Sequence, residues 1–182
     1  VTNVSYEEYI QRAIFDPLGM RRSTFDSLDT VANSAGSMTT EGRQADVYQY
    51  ASSAATAFAT SAADLSRFVI AQIRNSDALG VLPQNAVDAM REPHGRSFGA
   101  DIWGLGTMLY APTPNGAMVF GHDGGNSPAI NSTARINPDT GDGLIILLTG
   151  HPSLATMLGS QWVLWQTGIP AFLATGCVIA SI

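Results

Sequence analysis

Ala117-Met118-Val119-Phe120-Gly121-His122 and Ile130-Asn131-Ser132-Thr133-Ala134-Arg135-Ile136 are separated by a Gly-, Asn- and Pro-rich link, and Asn137-Pro138-Asp139-Thr140-Gly141-Asp142-Gly143 divides the second run from Leu144-Ile145-Ile146-Leu147-Leu148-Thr149. Three runs of strand length separated by turn-forming residues predict three strands joined by short reversals. Connections this short join neighbours antiparallel, so a meander is expected. The last run is apolar without interruption, which predicts a central strand buried on both faces.

Working upstream, Ile102 to Tyr110 reads as one further strand, followed by a turn at Pro112-Thr113-Pro114-Asn115-Gly116. Before it the period changes to that of helices. Leu82-Pro83 opens one that runs through Ala86, Val87 and Met90 and ends before Pro93. Thr60 or Ser61 caps another, with Asp64 in its first turn and Leu65, Phe68, Val69 and Ile73 as its apolar stripe. Residues 21–55 are rich in Ser, Thr, Asp, Ala and Gly without a period and read as surface loop. Nearest the start, Ser5 and Glu8 form a capping box for a helix through Tyr9, Ile10, Ala13 and Ile14, stopped at Asp16-Pro17.

Downstream, Ser153 to Thr167 predicts a helix packed on the sheet. From Leu144 to Ile182 there is no Asp, Glu, Lys or Arg. Residues 168–182 form an apolar tail, shorter than the roughly 20 residues that span a bilayer. Two readings stand side by side, a buried terminal helix and part of a membrane helix.

The 182 residues suit one domain or a large piece of one, and 45% hydrophobic content is enough for a packed core. A net charge of −6 without any Lys/Arg run argues against nucleic acid as a partner. Cys177 is the only cysteine, so an internal disulfide is excluded, and neither metal nor cofactor is expected. The chain begins with Val and enters a helical pattern almost at once, so the expectation is a C-terminal portion of a longer domain.

Five short signatures follow in order. They are Tyr6-Glu7-Glu8-Tyr9 with Ile14-Phe15-Asp16-Pro17-Leu18-Gly19-Met20, then Ala59-Thr60-Ser61-Ala62-Ala63-Asp64-Leu65-Ser66-Arg67-Phe68, Trp103-Gly104-Leu105-Gly106, Gly121-His122-Asp123-Gly124-Gly125-Asn126, and Pro138-Asp139-Thr140-Gly141. Taken alone, His122-Asp123-Gly124-Gly125 reads as an ordinary β-turn. The order of all five, over residues 1–167, resembles the penicillin-binding-protein and serine β-lactamase-like hydrolases, which include class C β-lactamases, D-alanyl-D-alanine carboxypeptidases and esterases.

That resemblance implies an α+β fold, an antiparallel sheet flanked by helices, incomplete here at its N-terminus. It implies acyl transfer through a covalent Ser ester, with small esters or amides as substrates: β-lactams, D-amino-acid peptides, peptidoglycan-like peptides or acyl esters. Of the family's three motifs only the third, K-T-G or H-x-G, has a counterpart, His122-Asp123-Gly124. The chain contains no Lys, so S-x-x-K is absent from it and is expected in a missing N-terminal segment of the same domain.

By the same resemblance Gly125 is the catalytic oxyanion donor and His122 a catalytic pocket residue and proton relay. Asp123, Gly124 and Asn126 are the substrate-binding neighbours. Thr56-Ala57 replaces a usual Gly pair and Ser127-Pro128-Ala129 a usual Gly-Phe, departures at the pocket edge. A cell-envelope location, with membrane contact through the C-terminus, is the corresponding expectation. The rival readings are a non-catalytic binding or scaffold module and a membrane-tethered interaction protein.

Plainer roles are read for the remaining marked residues. His94 and His151, beside Pro, read as solvated, and Asp64 as a helix-start charge. Trp103, Trp162 and Trp165 read as core or membrane-interface residues, and Cys177 as a small buried apolar one.

Overall fold

The computed structural model describes residues 3–27, 31–46, 52–73, 81–97 and 99–171. Helix α1 (Tyr6–Ile10) starts as the capping box predicts, with Ser5 Oγ accepting the Glu8 N–H at 3.1 Å. It does not stop at Asp16-Pro17. A wide π-type turn, Gln11–Phe15, carries the helix into α2 (Asp16–Leu18), closed by Gly19 at φ 66°. Pro17 lies near the start of α2, where its fixed φ suits the helical backbone. Phe15 joins Leu18, Met20 and Ala71 in a core at this end of the molecule, and its ring stacks on Phe25, which packs against that core, and on the more exposed Phe58, at 5.7 and 5.6 Å.

The loop region of the sequence reading holds a two-stranded ribbon, β1 (Ser37–Met38) with β2 (Gln44–Ala45), and a one-turn helix α3 (Ser53–Thr56). Helix α4 (Ala62–Ala71) is capped by Ser61, whose hydroxyl accepts the Asp64 N–H at 3.2 Å. Asp64 is more than a helix-start charge. It is buried, and its carboxylate accepts the Arg22 N–H at 2.6 Å and the Ser23 hydroxyl at 3.0 Å, which pins the segment after α2 to α4. Helix α5 (Gln84–Arg91) follows Pro83 as expected.

The main sheet has strands β3 (Gly95–Ser97), β4 (Ala100–Trp103), β5 (Met108–Pro112), β6 (Met118–Asn126), β7 (Ile130–Ile136) and β8 (Gly143–Thr149). Their spatial order is their chain order and every pairing is antiparallel, so the meander is as expected. Two details differ from the sequence reading. The single strand over 102–110 is two, because Gly104-Leu105-Gly106 turns the chain, with Gly106 at φ 69°. A Cβ on Gly104 would collide with the Met90 carbonyl, so only glycine lets that turn sit against α5. The second difference is at the other end, where β8 is the last strand of the sheet and not a central one. α4 and α6 pack on it, one on each face, but no residue of β8 is fully buried, so the expected burial on both faces is only partial.

Helix α6 (Leu154–Thr167) covers the other side of the sheet from α4. His151 Nδ1 accepts the N–H groups of Ser153 and Leu154, at 3.3 and 3.0 Å, so this exposed histidine caps the helix entry. The α4-side core consists of Val69, Leu109, Phe120 and Ile136; the α6-side core of Tyr110, Ala111, Val119, Val163 and Ala171. Tyr110 and Ala111, consecutive in sequence, both reach the α6 side because the β5–β6 register shifts between Leu109 and Ala111. Trp162 packs on that core, but Trp165 projects outward and is 76% exposed. No helix of the described residues is long and apolar enough to cross a membrane. Cys177 and most of the predicted tail, 172–182, lie outside the described residues.

Candidate active site

Gly121 to Asn126 form an extended strand and not a turn. Each residue has a partner on β7, from Gly121 with Arg135 to Asn126 with Ile130. Side chains therefore alternate between the two faces. Phe120 packs on α4, so His122 and Gly124 share its side of the sheet, and Asp123 faces α6. The cross-strand rows on the α4 side are His122–Ala134–Ile145 and Gly124–Ser132–Leu147.

Cover is lost along this face. Phe120 and Ile136 are buried, whereas His122 and Gly124 are exposed and Leu147 is 38% exposed. Trp103, itself 37% exposed, stands beside His122 with ring centroids 5.9 Å apart at 54°. The edge of the strand is open as well. β5 pairs with β6 only as far as Gly121, so among the described residues His122–Asn126 has a strand neighbour on the β7 side alone. Every second backbone N–H and C=O of this glycine-rich segment is thus without a ladder partner on the other edge.

His122 Nδ1 lies 2.6 Å from the Asp123 carbonyl oxygen. A carbonyl only accepts, so Nδ1 donates, and in the neutral ring Nε2 carries the open lone pair. The glycines differ in what demands them. A Cβ on Gly121 would collide with the Ala134 carbonyl, and one on Gly124 would stand 2.6 Å from Ser132 Oγ. At Gly125 a Cβ would meet the Ile130 carbonyl at 3.8 Å, an ordinary contact. Packing against backbone requires the first glycine, whereas at the second a rotation of the Ser132 hydroxyl would make room. Nothing among the described residues requires the third.

Behind the strand lies a polar cluster that sequence reasoning missed. Arg135, 1% exposed, holds both carboxylate oxygens of Asp123 from its Nη2, at 3.1 and 2.9 Å. Its Nε donates to Thr133 Oγ1 at 2.9 Å, and its guanidinium lies 3.9 Å from the centre of the Tyr110 ring. Burial, and next the Asp123 charge, push the Tyr110 phenol above its ordinary range, so it stays protonated. Gly159 of α6 gives the guanidinium room, since a Cβ there would lie 2.7 Å from Arg135 Nε. Asn131 donates to the Gly124 carbonyl and to Thr156 Oγ1, both at 3.1 Å, and accepts the Thr156 N–H at 3.0 Å. The strand carrying His122 and Gly124 is thereby fastened to α6 from the side opposite the opening.

Asp123, expected beside the substrate, turns its carboxylate toward α6, where Arg135 and Thr133 take it up and make it an anchor of the strand. His122, Gly124 and Gly125 remain together on the open segment, and Asn126 ends the strand, half-buried, opposite Ile130. One signal could have found the anchor. Arg135 is the sole charged residue between Asp123 and Asp139, in a strand otherwise of small and apolar residues. A charge so placed calls for a buried partner.

Among the described residues no group of three or more His, Cys, Asp and Glu could hold a metal ion. What the segment offers is a histidine acceptor, a close-approach glycine strand and unpaired backbone donors, all open to one side. No curated protein matches the chain. The family model described as Beta-lactamase matches residues 1–166, a span that takes in the antiparallel sheet, both covering helices and the His122 strand. On that match, together with an α+β fold built around it, the chain belongs to the beta-lactamase family.

Proposed function

We propose that the chain supplies the oxyanion-side strand of a serine hydrolase site acting by acyl transfer on small esters or amides. The observation that carries this reading is the open segment His122–Asn126, uncovered on one face and unpaired on one edge, yet anchored from behind by Asp123–Arg135 and Asn131. A fold that only needed a strand there would not leave Gly125 without a packing reason. A backbone N–H at Gly125 suits a developing oxyanion, because no side chain stands between it and an approaching carbonyl. His122 lines the same opening through Nε2, where it accepts a hydrogen bond from substrate or relays a proton. Gly124 lets the acyl group lie against the strand, and Asn126 borders it.

The nucleophile is not in these residues, since a Ser activated by Lys needs a Lys and the chain has none. The Ser and its base then come from a segment of the same protein outside the 182 residues, seated over the uncovered face beside Trp103 and Leu147. β-Lactams, D-amino-acid peptides and acyl esters are the substrate classes, and the cell envelope is the corresponding location. The lack of Lys equally favours a second reading, a binding module that keeps the opening without chemistry.

Labelling with a fluorescent penicillin and with a fluorophosphonate separates these readings. The 182-residue chain is expected to remain unlabelled. The protein encoded by the complete reading frame is expected to label on a Ser, with labelling lost on Ser→Ala at its S-x-x-K. Labelling of the 182-residue chain itself would overturn the assignment of the nucleophile, and a complete protein that binds peptide without acylation would establish the binding module instead.

A further inference from the structure

Helix α6 is apolar on both sides. Ala155, Gly159 and Val163 are buried toward the sheet, while Met157, Leu158, Leu164 and Trp165 form a row on the outer side, all exposed. Positions 157, 158, 164 and 165 fall on one face at helical spacing, with Gln161 the single polar exposed residue among them. A helix apolar all round needs cover on both faces. The sheet covers one. For the other, the chain itself indicates the medium.

From Leu144 to Ile182 no Asp, Glu, Lys or Arg occurs, and that includes the eleven residues that follow Ala171. A protein partner would meet a rim of polar and charged groups around an apolar centre. The outer row of α6 has no charged rim on its own helix or in the chain that continues from it. A lipid interface needs none, and Trp is a residue that such interfaces favour. At 14 residues α6 is roughly 21 Å long, too short to cross a hydrocarbon core of about 30 Å.

We propose that the outer face of α6 docks flat on a lipid bilayer, with Trp165 and Leu158 entering the interface. This is distinct from anchoring by the tail alone, and it does not depend on the hydrolase reading. It also fixes an orientation. α6 and the His122 opening lie on opposite faces of the sheet, so the opening points away from the bilayer surface.

Co-flotation of the 182-residue chain with phosphatidylcholine vesicles tests the proposal. Binding is expected, and adding phosphatidylglycerol is not expected to strengthen it, because a chain of net charge −6 binds by apolar contact. Leu158→Glu/Trp165→Glu is expected to weaken binding at least tenfold, whatever Leu173→Glu/Ile179→Glu in the tail does. Should the double Glu variant fail to fold, quenching of the wild-type tryptophan emission by brominated lipid, reduced in Trp165→Phe, reads the same contact. Vesicle binding unchanged in the α6 variant, or quenching unchanged in Trp165→Phe, would overturn the proposal in favour of the tail. Failure of the wild-type chain to bind vesicles would also overturn it, the more so if it forms a dimer that the α6 variant dissolves, since the row would then be an interface between copies.

Discussion

Arg135 and Asp123 hold one another across adjacent strands, on the side of the sheet away from the opening beside which Asp123 was expected to work. The pair is nearly dry, the arginine 1% exposed. Removing one member leaves the other charged and buried without compensation, whereas removing both at similar volume costs much less. Asp123→Ala is therefore expected to lower unfolding free energy by about 3–5 kcal/mol, and Asp123→Ala/Arg135→Met by clearly less. Urea unfolding followed by ellipticity measures both. A loss under about 1 kcal/mol for the single variant, the range of an exposed pair, would contradict the anchor role.

Gly159 makes the same point from the helix. A methyl group at this position meets Arg135 Nε and Cζ and Thr133 Oγ1, at 2.7, 2.8 and 3.0 Å. Ala is otherwise the better helix residue by about 1 kcal/mol. Gly159→Ala is nevertheless expected to destabilise, by about 1–3 kcal/mol, as overpacked positions do. A raised melting temperature in that variant would show that α6 lifts away without cost.

Alkaline stability should report on Tyr110. Its phenol is held above the ordinary value by burial first and by Asp123 next. The folded state then keeps a proton that the unfolded chain gives up near pH 10. The stabilisation is complete below that pH and is lost as pH rises beyond it. Tyr110→Phe keeps the ring under Arg135 and is expected to flatten the decline in stability between about pH 9.5 and 11. Parallel pH profiles for the two proteins would assign the decline to other groups.

In a complete, active protein His122→Ala is expected to lower kcat/KM by about ten- to a thousand-fold, the loss of one polar contact in the transition state. The side chain is exposed, so the melting temperature should barely move. Wild-type kinetics from the folded variant would remove His122 from the site.

The sheet was legible because its turns are chemical. Asn137-Pro138 with Gly141 and Gly143, and Pro112 to Gly116, announce reversals that no packing has to supply, and the 130–136 strand ends where the first of these turns begins. Elements governed by tertiary contact were not legible in the same way. Gly104 turns the chain because the Met90 carbonyl stands against it, and Met90 is fourteen positions away in sequence. Gly124-Gly125 looks like a turn and is a strand, because β7 supplies a partner for each residue. Of the candidate site, the clustering of His122, Gly124 and Gly125 follows from adjacency in sequence. The direction of Asp123 does not, since a one-residue step reverses the face and only the register with Arg135 decides it.

The unbroken order of the six strands has a kinetic consequence. Each strand from Gly95 to Thr149 finds its partner in the next segment of chain, so the sheet needs only hairpin closures, and α6 follows directly to cover one side. Loops of this length close cheaply, and domains dominated by such near contacts form quickly. The partners of α4 are of another kind, since Val69 must meet Leu109, Phe120 and Ile136 across forty or more positions of chain. Assembly is thus expected to start in the second half of the molecule, with the first half condensing on a sheet already made.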